Sequence, residues 1–134
     1  MFALVVPHRD YVHARLPFVL PMAVAAARRR LIDEDLARRI VALGALLLEH
    51  LANEEPFLAA QGATSASTWV GSGMLGDHLM IATSLDEILD AVSRWSAPVT
   101  ELERRLGGEL ADLGDHVHAQ IALEETLVAA RLAA

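Results

Sequence analysis

The sequence predicts an all-α protein: an up-down-up-down four-helix bundle forming a single domain over residues 1–134. Three observations carry that expectation. Ala and Leu, both strong helix formers, dominate a composition that is 54% hydrophobic and only 4% aromatic. Apolar residues recur at steps of three and four, the spacing of one helix face. The segments marked in this way are joined by short connections, which favour antiparallel neighbours. A chain of 134 residues can bury one real core and is too short for two.

The first segment runs from about Pro7 to Leu31. Pro7 suits a first-turn position, whereas Pro17 and Pro21 are expected to kink the helix or delay its start. The second opens at Asp33-Glu34-Asp35, acidic residues that favour a helix N-terminus. Its stripe reads Leu36, Ile40, Leu43, Leu47, His50, Glu54, Phe57 and Leu58, and Gln61-Gly62 should end it. Residues 62–73 read as the longest loop. The third helix should cover about Met74 to Trp95, with Leu75, His78, Ile81, Leu85, Ile88 and Val92 on one stripe, before a break at Ser96-Ala97-Pro98. The fourth should run to the C-terminus from Thr100, with Glu103 three residues on in the capping-box pattern. Gly107, Gly108 and Gly114 weaken its first half. Its stripe is Leu113, Val117, Gln120, Glu124 and Leu127.

Composition removes several functions. A net charge of −7 opposes a nucleic-acid surface, which needs a basic face. All 11 basic residues are Arg, a habit of composition with no functional reading. With no Cys, disulfides, thiolate zinc sites and iron–sulfur clusters are excluded. No apolar run reaches transmembrane length. Leu16 to Ala27 has the look of a signal-peptide core, but two prolines interrupt it and three arginines follow, so a cytoplasmic protein is expected.

The chemistry lies in a near-repeat. His50-Leu-Ala-Asn-Glu54-Glu55 returns as Gln120-Ile-Ala-Leu-Glu124-Glu125. A side chain with a nitrogen or amide sits four residues before a Glu in both copies, which places the two groups one turn apart on one helix face. These pairs fall on the buried stripes, as does His78, and His13 is the histidine of the first helix best placed to face inward. An imidazole and a carboxylate in an apolar interior need a partner, and a metal ion is the simplest group that satisfies both. A lone His on an apolar stripe is more often a core histidine with a local partner; four helices each supplying one such residue make the stronger case.

These motifs resemble the hemerythrin-like (HHE cation-binding) family across nearly the whole chain. Leu47-Leu48-Glu49-His50 through Glu54-Glu55 fits its second-helix motif, and Gly76-Asp77-His78 fits its third. The resemblance implies a four-helix bundle around two irons, bridged by Glu54 and Glu124, with His13, His50 and His78 as further ligands, and a role in binding or activating O2 or a related oxidant. Zinc or manganese would also suit such donors. Gln120 stands where the family pattern has His and is a poorer iron ligand, so the second metal is weakened or gains an open position. His116 is an alternative ligand, about 80° round the helix from Glu124, whereas His118 faces solvent at about 120° the other way. His8 could reach in from the N-terminus but is the weaker candidate beside His13.

Glu49, Glu55, Glu125 and Asp77 adjoin these residues in sequence and are expected to point into solvent. Met22, Met74 and Met80 read as core filler, and Trp69 as a loop residue buried against the helices. Three functions follow: a dimetal O2-binding protein, an oxidase or oxygenase whose small organic substrate uses the space at Gln120, and a regulatory bundle that has lost its metal. The sequence is silent on oligomeric state.

Overall fold

Five helices follow one another along the chain, with no strand among the described residues: α1 (Phe2–Arg28), α2 (Glu34–Leu58), α3 (Ala63–Gly71), α4 (Met74–Ser93) and α5 (Glu101–Ala133). The structure is a computed structural model describing residues 2–58, 63–95 and 100–133. The expected stop at Gln61-Gly62 and the break at Ser96-Ala97-Pro98 lie outside the described residues. No helix is long and apolar enough to cross a membrane, among the described residues.

α1 begins at Phe2, ahead of the expected Pro7, and runs through Pro17 and Pro21. Both prolines are exposed, where carbonyls freed of their partners can turn to water. The buried side of α1 is Val12, Leu16, Val19, Ala23 and Ala26. Arg30 then adopts a left-handed conformation at φ 57°. The Leu31 N–H donates to Ala26 O and the Arg30 N–H to Ala27 O, the paired bonds of a Schellman stop. α2 begins at the acidic cluster and buries Leu36, Ile40, Leu43 and Leu47, as its periodicity requires. Gly44 lets α1 approach closely: a Cβ there would stand 3.1 Å from Leu20 Cδ2.

The expected loop at 62–73 is mostly helix. In α3, Ala66 and Trp69, three residues apart, are both buried, and that pairing offsets a run of Ser and Thr that would otherwise leave the segment unfolded. A tight turn at Ser72-Gly73 follows, with Gly73 at φ 97°, a conformation that favours glycine. It sets the register of α4, whose buried side is Met74, His78, Ile81, Leu85 and Ile88. Leu75, expected inside, is 51% exposed, because it lies about 100° from Met74 on the helix. Met74 is core; Met80 is exposed.

α5 opens with the expected capping box. The Glu103 N–H donates to Thr100 Oγ1, and the Thr100 N–H donates to Glu103 Oε1. A Thr100→Ala variant should lose about 1 kcal/mol of stability in urea unfolding. The three glycines do not interrupt α5, and at Gly114 the helix comes so close to α4 that a Cβ would stand 2.9 Å from Leu89 Cδ1.

α1 packs against α2 and α5, and α4 packs against the same two helices; α3 lies against α2, α4 and α5. The main core holds most of the aliphatic side chains. A second, smaller apolar cluster joins Ala66 and Trp69 of α3 to Met74 and Val128, with Phe57 and Val70 against it.

Candidate metal centre

Between those two apolar clusters lies a layer of polar side chains. Following α2, the main core ends at Leu47 and Leu51, His50 and Glu54 come next, and Phe57 joins the smaller cluster. α4 passes from Met74 through His78 to Ile81, and α5 from Val117 through Gln120 and Glu124 to Val128. The helical period that builds the core therefore carries these polar residues inward with it. His50, Glu54, His78, Gln120 and Glu124 are all buried, the two carboxylates to 1% exposure.

The side chains converge. His50 Nε2 lies 3.0 Å from Glu54 Oε2 and 3.8 Å from Glu124 Oε1, and His78 Nε2 lies 3.6 Å from Glu124 Oε2. The two imidazoles meet edge to face, their centroids 4.9 Å apart. One ligand atom from each of His50, His78 and Glu124 falls within 4.8 Å of the others, a group that could hold a metal ion. Although His50 Nε2 and Glu54 Oε2 are close, the contact lacks hydrogen-bond geometry. Both inward imidazole nitrogens, all four oxygens of Glu54 and Glu124, and Gln120 Nε2 are buried without a hydrogen-bond partner. Leaving one such group unsatisfied costs about 1–3 kcal/mol, and a metal ion is one partner that would satisfy several of them at once. Imidazole and carboxylate donors fit zinc, iron or manganese.

Behind each imidazole stands a carboxylate. His78 Nδ1 is 3.1 Å from Glu125 Oε1, and His50 Nδ1 is 4.0 Å from Asp77 Oδ2. Glu125 and Asp77, expected in solvent, are only half-exposed and face the ring nitrogens turned away from the centre. Such partners fix ring orientation and raise the basicity of the inward nitrogen.

Charges in the layer are uneven. Burial opposes a proton on His50, but Glu124 and Glu54 outweigh it and raise its pKa to about 10. Burial pushes Glu124 up to about 8, with the charge of Glu54 adding to the effect. Burial also opposes ionisation of Glu54, yet the adjacent His50 holds it below the usual carboxylate range. His78 is lowered by burial. The layer thus has two carboxylates of opposite tendency, a pattern typical of groups crowded together away from water.

The remaining expected ligands are distributed differently. His13 is exposed, and His8 occupies the interior of α1 at 3% exposure. The register explains this: His8 lies one turn before Val12 on the buried stripe, whereas His13 is about 100° off it. Reading that stripe backwards from Leu16 would have found His8. Its Nδ1 is 2.9 Å from His116 Nε2, and His116 stacks on Tyr11 at a 3.8 Å centroid distance. Burial lowers the pKa of both histidines, His8 to about 4; Glu54 opposes the shift of His8, whereas the charges of His116, His50 and His78 add to it. His116 is therefore half-buried at the α1–α5 contact. His118 is at the surface, paired with Asp86 at 3.1 Å.

No protein-family model matches the chain, and no curated protein or solved structure matches it either.

Proposed function

We propose that this chain is a non-heme dimetal protein, with iron as the metal, that binds or activates O2 or a related oxidant. The observation that carries the reading is the convergence of His50, Glu54, His78 and Glu124 with their inward atoms unpartnered. In the hemerythrin-like arrangement that the motifs resemble, α1, α2, α4 and α5 form the up-down-up-down bundle and α3 is an addition across one end. The pairing of α1 and α4 each with both α2 and α5 supports it. Bound iron would supply the electrons for reaction with the oxidant. His50 and His78 would hold the centre from α2 and α4, Glu54 and Glu124 would supply its carboxylates, and His8, buried where His13 is exposed, would be the contribution of α1. Gln120 adds a neutral amide, whose oxygen can turn inward by rotation about its last side-chain bond.

Metal analysis and absorption spectra before and after dithionite test the proposal. About two irons per chain are expected, with visible absorption lost on reduction. His13→Ala should keep that iron content and His8→Ala should lower it. A chain that stays metal-free after folding in excess ferrous iron would overturn the reading. The compact His50, His78 and Glu124 group also favours a second reading, a single zinc ion, which the same measurement reports as one colourless metal per chain.

Metal loading should release protons. In the metal-free protein Glu124 and Glu54 favour a proton on His50 near neutral pH, and His50 must give it up to become a ligand. About one proton per centre is expected at pH 7. Affinity should rise with pH through the range where free imidazole is already deprotonated. Calorimetry in buffers of different ionisation enthalpy reads the number directly; none released at pH 7 would contradict the assignment.

A further inference from the structure

α1 is apolar on two sides. Its buried row is Val12, Leu16, Val19, Ala23 and Ala26. Two residues before each of these stands a second row, Asp10, Ala14, Pro17, Pro21 and Val24, which Arg28 continues. A step of two residues is about 200° on a helix, so this row faces away from the core. All of its residues are exposed. The outer face of a surface helix is ordinarily polar, and a helix apolar all round is ordinarily covered all round. Between Asp10 and Arg28, however, the outer row carries no charge and no hydrogen-bonding side chain. Phe18, 65% exposed, flanks it on one side. On the other side a groove of about 580 Å³ runs between α1 and α2, with Leu20, Pro21, Val24 and Val41 as its larger apolar residues and Arg28 at its end.

The outer row is complementary to itself when reversed. Counted outward from its middle, Pro17 matches Pro21, Ala14 matches Val24, and Asp10 matches Arg28. We infer that this face binds a second copy of the chain, with α1 antiparallel to α1 about a twofold axis that crosses the helix between Pro17 and Pro21. In such a contact, a residue that meets a second residue of the other copy is met in turn by its counterpart, so each match occurs twice. The ends join acid to base. Neither Asp10 nor Arg28 has a partner among the described residues of its own chain, so both are free to pair. A small Ala lies beside a branched Val, and rigid proline rings, which lose no rotamer freedom on burial, fill the middle. The row is about 27 Å long from Asp10 to Arg28. A parallel pairing would instead set Asp10 beside Asp10 and Arg28 beside Arg28, like charges at both ends. The contact lies on the outside of α1 and does not involve the donors of the polar layer.

Sedimentation velocity over a concentration series, at low ionic strength where surface charges are least screened, tests the pairing. The parent chain should show a monomer–dimer equilibrium. Asp10→Arg places Arg against Arg28 of the other copy, and Arg28→Asp places Asp against Asp10. Each change acts twice in the dimer, and each should weaken it roughly tenfold or more. Mixed in equal amounts, the two single variants should pair with each other about as tightly as the parent pairs with itself, because every Arg then meets an Asp. The variant carrying both changes should likewise recover. Val24→Glu, at the apolar part of the row, should weaken the dimer by a similar factor, and mixing it with either charge variant should not restore pairing. The recovered mixture also shows that the charge variants are folded. A parent that stays monomeric at millimolar concentration, or single variants that dimerise as the parent does, overturns the proposal. So does a mixture that fails to recover, since only the antiparallel match of Asp10 with Arg28 predicts recovery.

Discussion

Glu124→Leu should abolish metal binding and, in the metal-free state, make the protein more stable. Both effects come from the position of Glu124. Its oxygens lie 3.8 Å from His50 Nε2 and 3.6 Å from His78 Nε2, so it is the residue common to both imidazoles. Without it no donor joins α2 to α4 from α5 except Gln120. Metal affinity should fall at least roughly a hundredfold, the scale on which loss of one strong ligand is felt in a site of few ligands. In the absence of metal Glu124 is a liability, with both oxygens buried and unpartnered and its pKa driven up by burial. A Leu of similar size removes that desolvation cost, about 1–3 kcal/mol, and joins Val117 and Val128 on the same stripe. Urea unfolding of chelated parent and variant, with metal analysis of both, checks the pair of outcomes. A variant that keeps its metal, or whose metal-free form is less stable than the parent, would show that Glu124 is an ordinary structural carboxylate.

The polar layer was legible because helical period alone specifies it. His50 and Glu54 share a stripe with Leu43 and Leu47, and burial follows from that spacing whatever the neighbouring helices do. The same holds for His78 before Ile81, although Met74 and not the expected Leu75 shares its buried side, and for Gln120 and Glu124 beyond Val117. Features decided by the packing of other elements were not legible. α3 has too few apolar residues to announce a helix, and its stability comes from Trp69 entering a cluster with Phe57 and Met74 that no local pattern reveals. The choice between His8 and His13 depended on where α1 starts. His13 lies one turn before Pro17, but the register of Val12 and Leu16 decides. Glu125 and Asp77 were placed in solvent by their sequence neighbours. Each lies about 100° from an inward residue, which puts it at the helix boundary, where a half-exposed carboxylate reaches the back of an imidazole on a facing helix.

The same unevenness between core and polar layer leads to the largest effect expected of the intact chain. Metal loading should raise thermal stability far more than a surface ligand could. Each inward atom is supplied by α2, α4 or α5, so an ion bound there ties three helices at the level where their aliphatic contacts are interrupted. Ligand bound only to the folded state contributes about 4 kcal/mol at a free concentration a thousand times its dissociation constant. For a domain of this size that corresponds to a rise in melting temperature on the order of 10–20 °C. The rise should vanish in Glu124→Leu, whose melting should be the same with chelator as with metal. Thermal melts of the parent with ferrous iron or zinc, and with chelator, make the comparison. Identical parent curves would mean that His50, Glu54, His78 and Glu124 are satisfied by one another, and that the layer is a polar core with no ion to hold.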